Sequence, residues 1–335
     1  MDPLSQGALG AAAAGLIARP GIHRPALVLG ALSGMAPDLD ALVRSSSDPL
    51  LFLEYHRQFS HAFLFIPFGA LICTLIAHPV ARRYCSFAQS YAFCLLGYGS
   101  HGLLDACTSY GTQLFWPFSD ARVAWNVIAV VDPLFTLPLL VLLGLAFRRF
   151  RPRLARLAVA WALVYLSIGL LQRERVHDVA RALAERRGHA PTTIAAKPSF
   201  GNLLLWKTFY EYEQRYWVDA VRMAPKPRIY PGQGTAKLDL GRDLPWLMAG
   251  SRQAIDLERF RWFSDGYVAL DPKAPNRVID VRYSLVPNRI DALWGIELDS
   301  SRPPQAHAVF FHETSASPED RAALRRMLNG APVAR

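Results

Sequence analysis

In the stretch GSHGLLDACTSYG, His101 and Asp105 lie four residues apart among small and apolar residues. On a helix this spacing puts both side chains on one face, where they can share an ion or neutralise each other through a hydrogen bond. His56 and His61 occur in LEYHRQFSHAF, five apart. They meet if His56 lies in an approach loop and His61 in the first helical turn. The competing reading is one interfacial histidine and one capping histidine, with Ser60 as a cap. Asp38 and Asp40 follow Pro37 and converge if that segment is extended, although Asp40 also reads as a helix cap. Asp38 and Asp40 lie in a polar loop, while His56, His61, His101 and Asp105 border apolar segments, where ionisable groups need compensation. A divalent metal supplies it, because neutral imidazole and carboxylate are its usual protein ligands. Zn²⁺ suits the set best, with Mn²⁺ or Fe²⁺ less specific.

An open position on such an ion makes water acidic and polarises a carbonyl or phosphoryl oxygen. Asp38 or Asp40 is then available as general base. Arg57 can pair its planar fork with a substrate phosphate or carboxylate, or equally with a lipid headgroup. Asp132 either holds a ligand histidine from behind or caps a helix. The sequence has no P-loop, no GxSxG and no HExxH.

The elements that must position these residues are mostly apolar. Of 335 residues 52% are hydrophobic and 19% charged, and charge concentrates after Leu171. Residues 6–18 and 25–36 read as a short helical hairpin, each arm below the ~20 residues needed to cross a bilayer. Residues 61–78, 86–106, 127–147 and 157–171 read as four long spans. The expected fold is thus a multi-span α-helical membrane bundle over 1–172, with a largely antiparallel, extramembrane α+β domain over 173–335. A charged helix at 173–187, strands such as NLLLWKTFYEY and YWVDAVRM, and a helix in AIDLERFRWFS make up that domain. The four cysteines sit in or beside apolar segments and read as small buried residues. The N-terminus lacks a basic region before its apolar run and reads as retained.

The net charge of +10 lies largely in arginine clusters beside apolar segments, which fits membrane orientation rather than nucleic acid. With alternating spans, Arg19, Arg24, Arg82, Arg83 and the arginines of 148–156 fall on one side, the cytoplasmic one by the positive-inside rule. The candidate ligands collect on the other side. The site and the C-terminal domain are therefore expected to face away from the cytoplasm.

PDLD (37–40), HRQFSH (56–61), GYGSHGLLDACTSYGTQLFWPFSD (97–120) and, more weakly, VVDPLFTLPLL (131–141) resemble the YdjM-like family of inner-membrane metal-dependent hydrolases. The resemblance covers about residues 1–145. It implies a multi-pass bacterial inner-membrane protein with a His/Asp metal site. Many relatives resemble T-H-A-x-x-G near the N-terminus, where this chain has Ser5-Gln6-Gly7-Ala8-Leu9-Gly10. Gln6 thus stands where a ligand is often expected, and glutamine binds metals weakly. The H-x-x-x-D pattern also looks somewhat like the helical zinc phospholipases C and nucleases, an analogy that favours phosphoesters.

The leading expectation is a membrane-bound metal-dependent hydrolase acting on a lipid or other membrane-delivered ester, amide or phosphoester. The alternative is a non-catalytic membrane protein in which the His/Asp cluster ties helices together and the outer domain binds a partner. An ion path ranks last, because the ionisable residues sit at the ends of the spans rather than deep within them.

Overall fold

Asp2 caps the first helix, its side chain accepting from Ser5 N at 3.0 Å, and Pro3 begins it. Helix α1 (Pro3–Ile17) is followed across the Arg19-Pro20-Gly21 break by α2 (His23–Met35). The two cross at touching distance: a Cβ on Gly30 would stand 2.4 Å from Gly10 O, so only glycine fits there. Pro37 then opens a 3₁₀ turn (Ala36–Leu42) that carries Asp38 and Asp40. After α3 (Leu51–Tyr55), two further 3₁₀ turns (Phe59–His61, Phe63–Phe65) lead into α4 (Ile66–Ala81). A Ser86/Gln89 capping box starts α5 (Phe87–Ala106). Then come α6 (Pro133–Arg149) and the 35-residue α7 (Pro152–Arg186).

This structure is a computed structural model and describes residues 1–149, 151–291, 293–313 and 315–332. Phe150, within the basic run of 148–156, lies outside them. The chain forms two compact units. The first comprises 1–43, 55–171 and 200–202; the second comprises 44–54, 172–199 and 203–335. The division differs from a single cut near 172, because segment 44–54 belongs to the second unit.

Among the described residues two helices are long and apolar enough to cross a bilayer, Phe63–Ala81 and Arg153–Arg186. Four were expected. Helix α5 has the length, but carries Gln89, Ser90, Ser100, His101 and Asp105. Helix α6 has 17 residues, short of the ~20 that span hydrocarbon. The expected fourth span and the charged helix after it are one helix, α7, since nothing between Leu171 and Arg173 breaks it.

The second unit is built on two antiparallel sheets. The first pairs β1 (Ile194–Pro198), β2 (Leu205–Tyr212), β3 (Arg215–Arg222) and β4 (Arg228–Tyr230) in that order, with β5 (Gly234–Ala236) also on β3. Helices α8 (Leu240–Asp243) and α9 (Arg252–Phe263) follow. The second sheet runs β6 (Val268–Asp271), β7 (Ala274–Asp280), β8 (Trp294–Glu297) and β9 (Val309–His312), and α10 (Pro318–Leu328) closes the unit. Phe209, Tyr216 and Val218 of the first sheet pack with Ala269 and Ile279 of the second in one core.

Two buried lysines face each other in this unit, Lys197 on β1 and Lys207 on β2. Lys207 Nζ donates to Ser284 Oγ (2.8 Å) and Arg289 O (3.0 Å). Lys197 Nζ lies 3.0 Å from the centre of the Tyr283 ring. Burial disfavours both charges: it pushes Lys207 down to about 7 and Lys197 well below its ordinary value. Between pH 7 and the ordinary lysine value of about 10.4 the unfolded chain binds more protons than the folded one. Stability of this unit is therefore expected to rise with pH across that window. Hydrogen exchange over β2 and β3, corrected for the intrinsic rate, should show rarer opening at pH 9 than at pH 7. Lys207→Met should flatten the trend.

Candidate metal centre

The last two turns of α5 carry His101 and Asp105, both fully buried. Gly102 lies between them, and a Cβ there would stand 2.6 Å from His61 O. The missing side chain lets the 3₁₀ turn Phe59–His61 lie against α5 and brings His61 opposite His101. Asp38 comes from the turn that ends α2.

Four donor atoms converge. His61 Nε2 lies 2.9 Å from His101 Nε2, 3.3 Å from Asp105 Oδ2 and 3.6 Å from Asp38 Oδ1. His101 Nε2 lies 3.4 Å from Asp38 Oδ1 and 3.9 Å from Asp105 Oδ2. Ligands about 2.0–2.1 Å from a tetrahedral ion stand about 3.3–3.4 Å from one another. The observed separations bracket that edge length. A second group, Asp38, Asp40 and His56, also brings one ligand atom from each residue within 4.8 Å of the others, so Asp38 is common to both.

The tautomers follow from the hydrogen bonds on the far side of each ring. His101 Nδ1 is 2.6 Å from Gly34 O, and a carbonyl only accepts, so Nδ1 carries the proton. Ser60 Oγ donates to Asp40 Oδ2 at 2.6 Å, which leaves it to accept from His61 Nδ1 at 2.9 Å. In the neutral rings both Nε2 atoms thus present lone pairs to each other at 2.9 Å, beside two carboxylates. That arrangement is repulsive unless a positive charge stands between them. Asp105 Oδ2, buried and without an aligned hydrogen-bond donor, faces the same point. The residues present therefore fit a divalent cation, and the backing of each imidazole by an acceptor is what holds metal-binding histidines in place. The same point attracts a proton when no ion is there. Burial lowers the pKa of His61, but the neighbouring carboxylates of Asp105, Asp38 and Asp40 outweigh it and the net shift is upward.

Asp40 lies behind the cluster. His56 Nδ1 stands 2.7 Å from Oδ1, while Arg57 N (3.0 Å) and Ser60 Oγ (2.6 Å) donate to Oδ2, with His61 Nδ1 3.2 Å away. Burial pushes this carboxyl's pKa up, but the hydrogen bonds from His56 and His61 overcome it and hold Asp40 ionised. Its oxygens are committed, so a role as free general base does not suit it. His56 differs, with a side chain 22% exposed and only Nδ1 engaged by Asp40.

Arg57, expected to face a substrate anion or a lipid headgroup, turns inward. It is 4% exposed and its φ is +65°, in the left-handed region. Nε lies 2.9 Å from Asp105 Oδ2, Nη1 donates to Thr108 Oγ1 at 3.1 Å, and the guanidinium lies 4.8 Å from the Tyr110 ring centre. Gln6 is fully buried and donates through Nε2 to Asp105 Oδ1 at 2.8 Å. The Met1 α-amino group donates to the same oxygen. Asp132 does not touch a ligand histidine. Its Oδ1 accepts from Leu134 N and Phe135 N at the start of α6, and its Oδ2 accepts from Tyr165 Oη at 2.8 Å. It is a helix cap, as the following Pro133 allows. Sequence reasoning missed Gly34 and Thr108. Ser60 was read as a cap rather than the link between His61 and Asp40; its place inside HRQFSH was the available signal.

A cavity of about 490 Å³ opens beside the turns of the site. Leu29, Leu32, Ile72 and Ile76 line it, together with Asp40 and Ser60.

A family model described as YdjM inner membrane protein matches residues 1–176, a span that contains all the residues above. A curated relative, the uncharacterized protein YfhP of Bacillus subtilis (strain 168), is 25% identical over 160 residues. That alignment covers 46% of this chain and 48% of the relative, so the chain spans about half the length of the curated relative it matches. No solved structure gives a significant match. The family model covers more than half of the chain and includes both ends of the histidine and aspartate cluster, and on that ground the chain belongs to the YdjM inner membrane protein family.

Proposed function

We propose that this protein is a metal-dependent hydrolase of the bacterial inner membrane that acts on an ester, amide or phosphoester of a lipid or other membrane-associated molecule. One observation carries the reading: the paired Nε2 lone pairs of His61 and His101 beside the carboxylates of Asp105 and Asp38. These four residues would hold the ion, with Zn²⁺ the best match to two imidazoles and two carboxylates. A divalent cation there supplies Lewis acidity, polarising a carbonyl or phosphoryl oxygen and making water acidic near neutral pH.

The remaining roles belong to the chain's own groups. Asp105, gripped by Arg57 and Gln6, is held in one orientation. Asp38 has a side chain 21% exposed, whereas the other three donors are fully buried, so the substrate enters on its side. His56 takes up a proton at Nε2, with its Nδ1 proton held by Asp40. The apolar cavity beside Asp40 and Ser60 supports a substrate with a hydrocarbon chain. We further propose a multi-pass arrangement with the site and the second unit on the non-cytoplasmic side. A reporter fused behind the last residue that reads cytoplasmic would refute that orientation.

The second reading is a structural ion. Four protein donors complete a tetrahedron, as closed structural zinc sites do. Zinc-loaded protein in detergent, incubated with an inner-membrane lipid extract and followed by mass spectrometry, separates the two. The hydrolase reading expects new head-group or acyl products, absent with His101→Ala and reduced at least ~100-fold with His56→Gln, as for loss of a general base. Tightly bound zinc with no product from ester, amide or phosphoester lipids would support the structural reading instead.

A further inference from the structure

Segment 44–54 joins Asp40 to His56 along the chain, yet it is part of the second unit. Arg259 of α9 holds it there. Nη1 and Nη2 donate to Asp48 Oδ1 and Oδ2, both at 2.9 Å, and Nε donates to Glu54 Oε1 at 2.5 Å. One planar fork thus grips the segment at two points six residues apart, a geometry that lysine would not reproduce. Nη1 also donates to Asp256 Oδ1 at 3.0 Å. Asp256 is itself buried, with His307 Nδ1 2.8 Å and Ala308 N 3.0 Å from Oδ2. Between the two grip points Leu50 and Leu53 are buried, and Phe52 meets the Phe310 ring edge-on at 5.0 Å. Asp48, Asp256 and His307 come within 4.8 Å of one another and resemble a second metal group. The guanidinium already stands among them, so the protein itself supplies the positive charge.

Glu54 is two residues before His56, and Asp40 is four residues before the segment begins. Every donor that the Asp40 carboxylate accepts from lies in the stretch just after Glu54, at His56, Arg57, Ser60 and His61. We infer that Arg259 is a positioning residue for the metal centre: by fixing segment 48–54 it limits the conformations open to 55–61, so the second unit sets the cation affinity of the first. This rests on the metal reading for its affinity term alone. A tethered turn has already lost the freedom that a loose one loses on binding the ion, and that preorganisation raises affinity.

The test uses the full chain in detergent, with Arg259→Gln, Asp48→Asn and the control Arg277→Gln. Arg277 pairs with Glu297 and Glu313 and does not touch the segment. Hydrogen exchange is measured without added metal, and zinc affinity by competition with a chromophoric chelator. Arg259→Gln and Asp48→Asn should speed exchange across both 44–54 and 55–61 and weaken zinc by about tenfold, the lower end for residues behind a ligand. The control should change neither. Exchange over 205–222 reports whether the second unit remains folded, and if Arg259→Gln unfolds it, Asp48→Asn decides. Faster exchange confined to 44–54, with 55–61 and zinc affinity at wild-type values, would overturn the inference. Should the wild type bind no zinc, the metal reading fails separately, and exchange at 55–61 still decides whether the segment couples to that turn.

Discussion

His101→Ala is expected to lose the divalent cation. The imidazole is fully buried, its Nδ1 proton is fixed on Gly34 O, and its Nε2 lone pair has no role besides the point it shares with His61, Asp38 and Asp105. Alanine removes a ligand and leaves two carboxylates facing one imidazole. Affinity should fall by more than about 100-fold, beyond the range typical of groups behind a ligand. Chelator competition measures the loss, and hydrolysis of membrane lipid should vanish with it. A mere hydrogen-bonded His–Asp pair would predict lower stability with no change in bound metal.

Asp40→Asn should act almost as strongly without touching any of the four converging donors. The carboxylate meets His56 Nδ1, Arg57 N, Ser60 Oγ and His61 Nδ1. An amide keeps one acceptor oxygen, and its NH₂ confronts donors on the other side. The Ser60 hydroxyl then no longer has a fixed acceptor, and His61 is free to move its proton to Nε2, where it blocks the cation. Zinc affinity should fall ~10–100-fold, the range for partners that orient metal-bound histidines. Each buried donor left unpaired should also cost about 1–3 kcal/mol of stability. Zinc titration and denaturant unfolding of the same preparation separate the two effects, because Asp40→Asn should lose affinity even where it remains folded.

Much of the site was legible because its residue types are out of place in apolar sequence. The i, i+4 spacing of His101 and Asp105 carried a face, and the face is the one used. Asp38 and Asp40 were a different matter. An extended segment would present both to one point, whereas the 3₁₀ turn at 36–42 sends Asp38 to the four-donor group and Asp40 behind it to the imidazole Nδ1 atoms. Nothing in PDLD distinguishes these geometries. Arg57 misled for a related reason: its left-handed backbone and inward course depend on Asp105, 48 residues away in the chain.

The helices were legible as apolar runs, but their limits were not. Hydropathy alone did not separate a bilayer span from α5, whose polar end is covered by α1, α2 and the His61 turn. The continuity of α7 past Leu171 hides behind a change in composition without a helix breaker. In the second unit β1 was missed because Ala, Lys and Pro are poor strand formers, and its partner β2 supplies the register. Helix α10 was overlooked although Ser317 and Asp320 form a capping box at its start. The placement of 44–54 in the second unit was invisible, since PLLFLE buries equally well against any apolar neighbour.

The metal content of the wild-type protein, purified in detergent without chelators and reloaded with zinc, tests the four-donor centre most directly. Elemental analysis combined with X-ray absorption at the zinc edge should give one tightly bound ion per chain, with two imidazoles and oxygen ligands at about 2.0–2.1 Å. A preparation that holds no stoichiometric divalent metal, or one whose zinc is bound by sulfur, would contradict it.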